Sequence, residues 1–322
     1  MEIQLYPLQF EPIFKERLWG GPKLKTVLDK SISSLKTGES WEISTIEGDI
    51  STIANGVMKG KLLTEAIQEF PLEILGTIVY ERFGNQFPLL FKYLDAKEDL
   101  SVQVHPNDLL AKHRHNSFGK TEMWYLVQAD SDARLIVGFK EEMSQSSYIQ
   151  NLVNKTLLAT LDEIKVQQGD VFLIETGTIH AIGAGTVIAE IQQTSDITYR
   201  LYDFDRVDSD GNLRELHVDL ALDAINYNTV SSQRQYQKNR NQSNPVVDCP
   251  YFTTQFIPLD GQLNVLKTGA TFTVYMCVDG QFEIVLDEQH YSYSKGDTIL
   301  VPAVLTEFQL VGKASILEIY IS

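Results

Sequence analysis

The chain has 322 residues, of which 43 are acidic and 27 are basic, and its formal net charge is −16 at pH 7. Nucleic acids and anionic membranes are bound by clusters of Lys and Arg, so this balance argues against both as partners. Hydrophobic residues make up 43% of the sequence and charged residues 22%, which excludes a disordered chain. The length predicts two domains, or one enlarged domain with an appended module.

The two cysteines, Cys249 and Cys277, are far apart in the sequence and form no CxxC motif. We interpret them as reduced thiols of a cytoplasmic protein, and most simply as small buried hydrophobic residues. The N-terminal stretch MEIQLYPLQFEPIF has neither a basic start nor a continuous apolar core, and no window approaches about 18 uninterrupted apolar residues. The sequence therefore predicts neither export nor a membrane span, and it indicates no obligate protein partner.

Short strands dominate the predicted elements. They are apolar or alternating runs separated by Gly, Asp and Pro, and in chain order they read SWEIST, FPLLFKYLDA, LSVQVH, EMWYLVQA, ARLIVGF, GDVFLIETGTIHAI and TVIAEIQQ. Regularly spaced short strands with turns between them are typical of an all-β sandwich or barrel. Helical spacing is confined to inserts at residues 61–80, 142–163 and 215–227.

A polar stretch, SSQRQYQKNRNQSNP at residues 231–245, is the best candidate for a linker. Strand patterning resumes beyond it, and residues 275–285 weakly resemble residues 125–137. We therefore predict a larger β-module with helical inserts at residues 1–235 and a smaller β-module at residues 236–322.

Four polar side chains interrupt the predicted strands of the first module. In LSVQVHPND, Gln103 and His105 lie two residues apart and so share one face of a strand. Glu122 opens the next strand, and His180 ends the strand that begins in GDVFLI. In a sandwich or barrel these groups can converge and offer two nitrogens and two oxygens to a divalent ion of zinc character. A carboxylate with two imidazoles and no thiolate is typical of a catalytic site.

The second module lacks this set, because Phe272 aligns with Glu122 and Glu307 aligns with His180. A single histidine in an apolar strand is more often a hydrogen-bonded core residue than a metal ligand. We assign that ordinary role to the remaining histidines, which are His113, His115, His217 and His290.

The ligand arrangement is typical of a cupin. The motifs FPLLFKYLDAKEDLSVQVHPND, GKTEMWYLV, GDVFLIETGTIHAIG and VIAEIQQTSDITYRLYDFDR, in this order, resemble type I mannose-6-phosphate isomerase (phosphomannose isomerase) of the short bacterial form. The resemblance covers residues 1 to about 210 and, more weakly, the rest. It implies a mostly β bicupin with two cupin-like jelly-roll modules and helical inserts. It also implies an enzyme with one Zn²⁺ per chain that interconverts mannose 6-phosphate and fructose 6-phosphate through an enediol.

The same resemblance implies roles for particular residues. The metal ligands of the family fall on Gln103, His105, Glu122 and His180. Its active-site arginine falls on Arg200, the lysines that line the sugar phosphate site fall on Lys92 and Lys120, and an acid in the same loop as the arginine falls on Asp196.

Aldose to ketose isomerisation moves a proton between neighbouring carbons, and these residue types meet its demands. Arg200 stays charged at any working pH and can hold a developing anionic oxygen. Lys92 has apolar neighbours, which can lower the pKa of a lysine enough for it to act as a base. The base is left open between Lys92, Lys120 and Asp196, and Gln103 is either a ligand or an outer contact.

Three other functions are compatible with the same residues. A cupin dioxygenase would use a similar pair of histidines and a carboxylate with iron. A sugar-binding bicupin would bind without turnover. A β-scaffold with purely structural histidines is least favoured, because burying four polar groups without a metal or hydrogen-bond partners is costly.

Overall fold

The structure is a computed structural model that describes residues 4–207 and 211–322. The strands in these ranges are β1 (Leu8–Gln9), β2 (Ile13–Glu16), β3 (Thr37–Ile43), β4 (Thr45–Ile46), β5 (Asp49–Ile50), β6 (Leu89–Ala96), β7 (Val102–Val104), β8 (Glu122–Ala129), β9 (Arg134–Phe139), β10 (Leu161–Lys165), β11 (Val171–Ile174), β12 (His180–Ile182), β13 (Thr186–Gln193), β14 (Tyr199–Tyr202), β15 (Gln233–Arg234), β16 (Asn244–Asp248), β17 (Thr253–Leu266), β18 (Thr273–Leu286), β19 (Gln289–Ser294), β20 (Thr298–Val301) and β21 (Glu307–Tyr320). The helices are α1 (Lys23–Leu28), α2 (Leu63–Glu69), α3 (Pro71–Leu75), α4 (Thr77–Phe83), α5 (Asp108–His115), α6 (Gln145–Val153), α7 (Leu157–Thr160) and α8 (Val218–Ala221). The predicted mostly β fold with helical inserts is confirmed.

Three antiparallel sheets contain nearly all of these strands. The inner sheet has the order β2-β3-β6-β13-β8-β11-β15, and the outer sheet has the order β10-β9-β12-β7-β14. The C-terminal sheet has the order β1-β20-β18-β21-β17-β16, with β19 paired to β18. Because β1 pairs with β20, a strand from the start of the chain belongs to the sheet formed by its end.

The inner sheet is the middle layer of the molecule. Its Leu94 and Trp124 pack into a core shared with Leu135 and Val137 of the outer sheet. Phe91, on its opposite face, packs into a second core shared with the C-terminal sheet and helices α1 to α4. All residues of β6 and β13 are buried. Burial of both faces explains why these strands read as nearly continuous apolar runs rather than as alternating ones.

Three long strands, β17, β18 and β21, enclose a separate core in the C-terminal sheet. Each has 14 residues and contains a glycine near its middle. At Gly280 φ is +75°, and a Cβ would lie 2.2 Å from the carbonyl oxygen of Lys313, so only glycine fits this bend. The boundary between residues 235 and 236 stays a prediction.

Two of the three predicted helical inserts are confirmed. Residues 61–80 contain α2, α3 and the start of α4, and residues 142–163 contain α6 and α7. The prediction for residues 215–227 is wrong in extent, because only the 4-residue α8 forms there. In this segment Ala221 and Ile225 are buried, whereas Leu216 and Leu220 are exposed, so only part of the apolar spacing packs, and short helices depend on such packing. No helix in residues 4–207 and 211–322 is long and apolar enough to span a membrane.

The polar stretch at residues 231–245 is not wholly a linker. Gln233 and Arg234 form β15 and pair with β11, and Asn244 begins β16. Strand pairing is made by backbone hydrogen bonds, so a pattern of polar side chains does not predict it. The stretch therefore adds an edge strand to the inner sheet before the chain enters the C-terminal sheet.

The first helical insert joins the two parts of the molecule. The backbone N–H of Phe272 donates to Leu75 O at 3.1 Å, and that of Ala303 donates to Ile74 O at 3.1 Å. Helix α3 is thereby bonded to two loops that flank strands of the C-terminal sheet. The N-terminal and C-terminal parts are consequently connected by backbone hydrogen bonds as well as by a shared apolar core.

A buried ion pair lies behind the inner sheet. Lys30 Nζ donates to Glu42 Oε2 at 2.7 Å, and Ser40 Oγ donates to Glu42 Oε1 at 2.5 Å. The Lys30 ammonium also lies 5.4 Å from the centre of the Tyr93 ring. Burial raises the pKa of Glu42 despite the opposing effect of Lys30. Glu42 therefore depends on Lys30 to remain charged in the interior.

Replacing Lys30 by Ala should lower the free energy of unfolding by about 3 kcal/mol, because breaking a buried pair leaves an uncompensated charge. The matched control is Lys61→Ala, which removes the more exposed pair with Glu69 and should cost less than about 1 kcal/mol. Chemical denaturation of both variants measures the difference. Equal losses in the two variants would contradict the role given to Lys30.

Candidate active site

A cavity of about 870 Å³ opens between the inner and outer sheets. The predicted site residues that line it are Lys92, Gln103, Lys120, Asp196 and Arg200. His105, Glu122 and His180 are at most 1% exposed. They lie behind Gln103 and Lys120, which contact them directly. The structure thus brings all eight predicted residues to one region.

His105, Glu122 and His180 converge from two sheets. His180 pairs with Gln103 between β12 and β7 of the outer sheet, whereas Glu122 begins β8 of the inner sheet. Glu122 Oε2 lies 3.7 Å from His105 Nε2, and Glu122 Oε1 lies 3.5 Å from His180 Nε2. Their potential ligand atoms all lie within 4.8 Å of one another.

The predicted position of His180 at the end of a strand is wrong. The strand that begins at Val171 ends at Ile174, and His180 begins β12 in the other sheet. A turn with Gly177 at φ +87° separates the two strands. This change of sheet places His180 opposite Glu122, where a continuous strand would have kept both residues in the inner sheet.

The hydrogen bonds of both imidazoles aim their Nε2 atoms at Glu122. His105 Nδ1 donates to Ile197 O at 2.9 Å, and His180 Nδ1 donates to Thr178 O at 2.9 Å. With the proton on Nδ1, each Nε2 carries a free lone pair. Burial lowers the pKa of His105 well below its usual value and that of His180 to about 4, so both rings are neutral at pH 7.

This donor set fits a divalent metal ion. Glu122 Oε1 is buried and has no hydrogen-bond partner among the described residues. A buried carboxylate oxygen without a partner is costly, and a cation between Glu122 and the two imidazole nitrogens would satisfy it. Within residues 4–207 and 211–322, this is the one group of three or more His, Cys, Asp or Glu side chains with metal-binding geometry.

Gln103 presents its amide to the same point. Its Nε2 lies 3.2 Å from His180 Nε2 and donates to it. Rotating the amide by a half turn would exchange the nitrogen for the oxygen, which is the atom that a metal requires. A direct ligand role for Gln103 stays a prediction.

Lys120 neutralises the buried carboxylate. Its ammonium donates to Glu122 Oε2 and, at 3.1 Å, to His105 Nε2. Burial alone would lower the pKa of Lys120, but the carboxylates of Glu122 and Glu190 raise it by more. Lys120 therefore lies beside the candidate ligands as a cation, as its spacing from Glu122 predicts.

Sequence reasoning missed Glu190. This carboxylate is 4% exposed and accepts from Lys92 Nζ at 3.1 Å and from Trp124 Nε1 at 3.1 Å. Burial opposes its charge, but Lys92 and Lys120 lower its pKa by more. The available signal was an acidic residue within the apolar run TVIAEIQQ. Its cross-strand partners Lys92 and Trp124 could not be recognised before the strand pairing was known.

Arg200 and Asp196 lie at the cavity wall on the outer-sheet side. Arg200 Nη1 donates to Glu215 O at 2.8 Å, whereas its buried Nε has no partner within the described part of the chain. Burial and the neighbouring Arg214 lower the pKa of Arg200. Asp196 is exposed. Four further cations of the wall, which sequence reasoning missed, are Lys15, Arg17, Lys36 and Arg214.

The remaining histidines contact groups outside the candidate metal site. His115 Nε2 bonds the Tyr199 hydroxyl at 2.8 Å, and His290 Nδ1 bonds Glu283 at 2.8 Å. His217 Nδ1 accepts a hydrogen bond from the backbone N–H of Arg200 at 3.2 Å, so it contacts β14, the strand that carries Arg200. Phe272, which directly precedes β18 and aligns with Glu122, is an apolar residue buried against the Phe87 ring.

Comparisons with known proteins place this chain in a family. Residues 7–131 match the catalytic domain of type I phosphomannose isomerase, and residues 242–321 match the cupin domain of mannose-6-phosphate isomerase. Mannose-6-phosphate isomerase ManA of Bacillus subtilis is 37% identical over 96% of this chain and 96% of its own length. The chain belongs to the type I phosphomannose isomerase family. The resemblance drawn from the sequence motifs is thereby confirmed.

Other relatives agree over the full length. Mannose-6-phosphate isomerase of Streptococcus mutans is 34% identical over 97% of both chains. The crystal structure of mannose 6-phosphate isomerase from Bacillus subtilis superposes with a TM-score of 0.89, at 32% identity, over 98% of this chain and 99% of that one. Membership makes the protein an isomerase of mostly β, cupin-containing fold, and it disfavours the dioxygenase, binding-protein and scaffold alternatives.

Replacing His180 by Ala should weaken binding of a divalent ion by at least about 100-fold, because one of three converging ligands is lost. His290→Ala is the matched control, since His290 lies in the C-terminal sheet and pairs with Glu283. Titration of chelator-treated protein with Zn²⁺ or Co²⁺ measures both affinities. Similar affinity in the two variants would contradict a metal site at His180.

Proposed function

We propose that this isomerase interconverts D-mannose 6-phosphate and D-fructose 6-phosphate through an enediol intermediate. The observation that carries the proposal is the convergence of His105, Glu122 and His180 beside a cavity rich in cations, in a chain whose relatives bear the name of this reaction. The cavity is large enough for a hexose phosphate, since small-molecule sites commonly have volumes of about 300 to 1,000 Å³.

The proposed cofactor is one Zn²⁺ ion per chain, held by His105, Glu122, His180 and Gln103. Two neutral imidazoles and a carboxylate, without thiolates, are a catalytic zinc set that leaves room for substrate. When bound, the ion would act as a Lewis acid on sugar oxygens. The hydrogen bonds from Nδ1 of each histidine would fix the rings for this task.

The basic residues of the cavity are proposed to capture the anionic sugar phosphate. The lining contains seven Lys or Arg and five Asp or Glu, whereas the whole chain has an excess of 16 acidic residues. Opposite charge concentrated in a cleft attracts a charged substrate in spite of the net charge of the protein. Lys92, Lys120 and Arg200 are the proposed substrate-binding cations.

The proton transfer requires a base and a group that stabilises the developing negative oxygen. Arg200 suits the second task, because its guanidinium remains protonated and its Nε is unengaged by the described residues. Lys92, Lys120 and Asp196 remain the rival bases. Lys92 and Lys120 are ion-paired with carboxylates, and Asp196 is exposed, so each needs a different rearrangement to accept a proton.

The proposal also assigns different roles to the two parts of the chain. Residues 1–235 would form the catalytic cupin-like domain, and residues 236–322 would form a smaller cupin-like domain without metal ligands. The burial of Phe272 in the position that aligns with Glu122 supports this division.

Incubation of the zinc-loaded protein with D-mannose 6-phosphate in D₂O should yield D-fructose 6-phosphate. Because an enediol route passes the proton from C2 to C1 through a side chain that exchanges with solvent, deuterium should enter at C1 of the fructose 6-phosphate formed and, on reversal, at C2 of mannose 6-phosphate. Nuclear magnetic resonance follows conversion and labelling together. Chelation should abolish both, and Zn²⁺ should restore them. Absence of conversion refutes the activity, and conversion without any label refutes the exchangeable base.

Replacing Lys120 by Ala should raise KM for mannose 6-phosphate by about tenfold or more, because a charged hydrogen-bond donor to substrate is lost. Lys140→Ala is the control, since the Lys140 side chain is exposed and its ammonium donates to the backbone carbonyl of Ala159. Steady-state kinetics at saturating Zn²⁺ provide the measurement. An unchanged KM in the Lys120 variant would count against this assignment.

A further inference from the structure

The backbone on both sides of Lys120 is held by side chains. The N–H of Gly119 donates to Asp108 Oδ1 at 2.8 Å, and the N–H of Thr121 donates to Gln193 Oε1 at 2.9 Å. Gln193 Nε2 in turn donates to Asp108 Oδ1 at 3.0 Å. Asp108 and Gln193 therefore act as one unit that fixes the backbone from Gly119 to Thr121.

Asp108 also joins two segments that carry candidate ligands. It lies three residues after His105 at the start of α5, and it bonds Gly119, three residues before Glu122. The two segments touch closely: a Cβ on Gly119 would lie 2.8 Å from Asp108 N and 2.9 Å from Asn107 C. The absence of a side chain at Gly119 permits this close approach of the two segments, and the hydrogen bond to the Asp108 carboxylate holds them together.

The third bond to Asp108 comes from the C-terminal part of the chain. Tyr251, between β16 and β17, donates its hydroxyl to Asp108 Oδ2 at 2.8 Å. Burial and the Asp108 carboxylate raise the pKa of Tyr251 to about 12, so the hydroxyl keeps its proton and remains a donor. Its loop is fixed by Arg82 of α4, whose Nη2 donates to Pro250 O at 2.6 Å.

We propose that Asp108, held by Tyr251, is a positioning residue that sets Lys120 and Glu122 at the correct distance from His105. The proposal rests on the metal site of the proposed function, but it does not depend on which sugar is turned over. It gives the C-terminal module a specific task, which is to supply one hydrogen bond that aligns the catalytic side chains.

The geometry suits a positioning role rather than a catalytic one. Asp108 is not among the described residues that line the cavity, and its carboxylate accepts hydrogen bonds from three protein groups, which belong to Gly119, Gln193 and Tyr251. A site that must hold its ligands to within about 0.5 Å needs such support. Loss of an outer hydrogen bond of this kind commonly costs about 10- to 100-fold in metal affinity or activity.

Four variants separate this role from simple stability. Asp108→Ala removes all three bonds. Asp108→Asn keeps an oxygen for Gly119 and Gln193 and places an amide N–H toward the Tyr251 oxygen, so it is the conservative rescue. Tyr251→Phe removes one hydroxyl. Tyr236→Phe is its matched control, because Tyr236 is also half-buried and donates across to Gly169 O at 2.8 Å, at a turn of the inner sheet.

The first measurement is amide hydrogen exchange of the metal-free protein across residues 117–123, and the second is Co²⁺ affinity. Asp108→Ala should speed exchange in this segment and weaken Co²⁺ binding by about tenfold or more. Tyr251→Phe should do the same to a smaller degree, about threefold or more in affinity, whereas Asp108→Asn should stay within about threefold of wild type. Tyr236→Phe should change neither quantity.

The proposal is overturned when Tyr251→Phe matches Tyr236→Phe in both measurements. If Asp108→Ala fails to fold, this comparison of the two tyrosine variants decides by the same criterion. Neither measurement uses a sugar. A wild-type protein that binds Co²⁺ as expected but does not convert mannose 6-phosphate would refute the proposed function and leave the positioning role standing.

Discussion

The structure depends on burying one carboxylate, Glu122, between two sheets. A buried carboxylate is costly unless it is paired, and here Lys120 pairs one oxygen while the other faces His180 without a hydrogen bond from the described residues. Because Glu122 begins β8 of the inner sheet and His180 begins β12 of the outer sheet, the two sheets must meet at one fixed separation. The apolar core between the sheets, centred on Trp124 and Leu135, supplies the packing that holds that separation.

Charge alternates along the cavity face of the inner sheet. Glu190 lies between Lys92 and the Trp124 indole N–H, and Lys92 lies 5.0 Å from the centre of the Trp41 ring. Glu39 in turn accepts from Trp41 Nε1 at 2.6 Å. Buried ionic groups in such a row constrain one another, because moving one leaves its neighbours unsatisfied. A substrate anion would therefore meet cations whose positions are already set, which reduces the cost of binding.

The sequence predicted which residues meet at the candidate site better than it predicted which sheet carries each of them. Period-2 alternation placed Gln103 and His105 at the end of one strand, where β7 ends, and the apolar run EMWYLVQA placed Glu122 at the start of the next, where β8 begins. The change of sheet before His180 was not predicted, because a Gly turn inside an apolar run is compatible with continuing in either sheet. The roles of Glu190 and Asp108 were not predicted for a related reason. Their partners are distant in sequence, and only strand pairing and helix placement bring them together.

In the C-terminal part, Phe272 and Glu307 align with Glu122 and His180, yet this part packs directly against the inner sheet. Tyr93, on the face of β6 away from the cavity, donates to Cys277 O at 3.2 Å, and its neighbour Lys92 faces the cavity on the same strand. Adjacent side chains on a strand point to opposite faces, so a contact behind the sheet restrains the side chain in front of it. The absence of the candidate ligands from the aligned positions is thus compatible with a requirement for the surface of this part. That surface fixes the back of β6, the strand from which Lys92 projects.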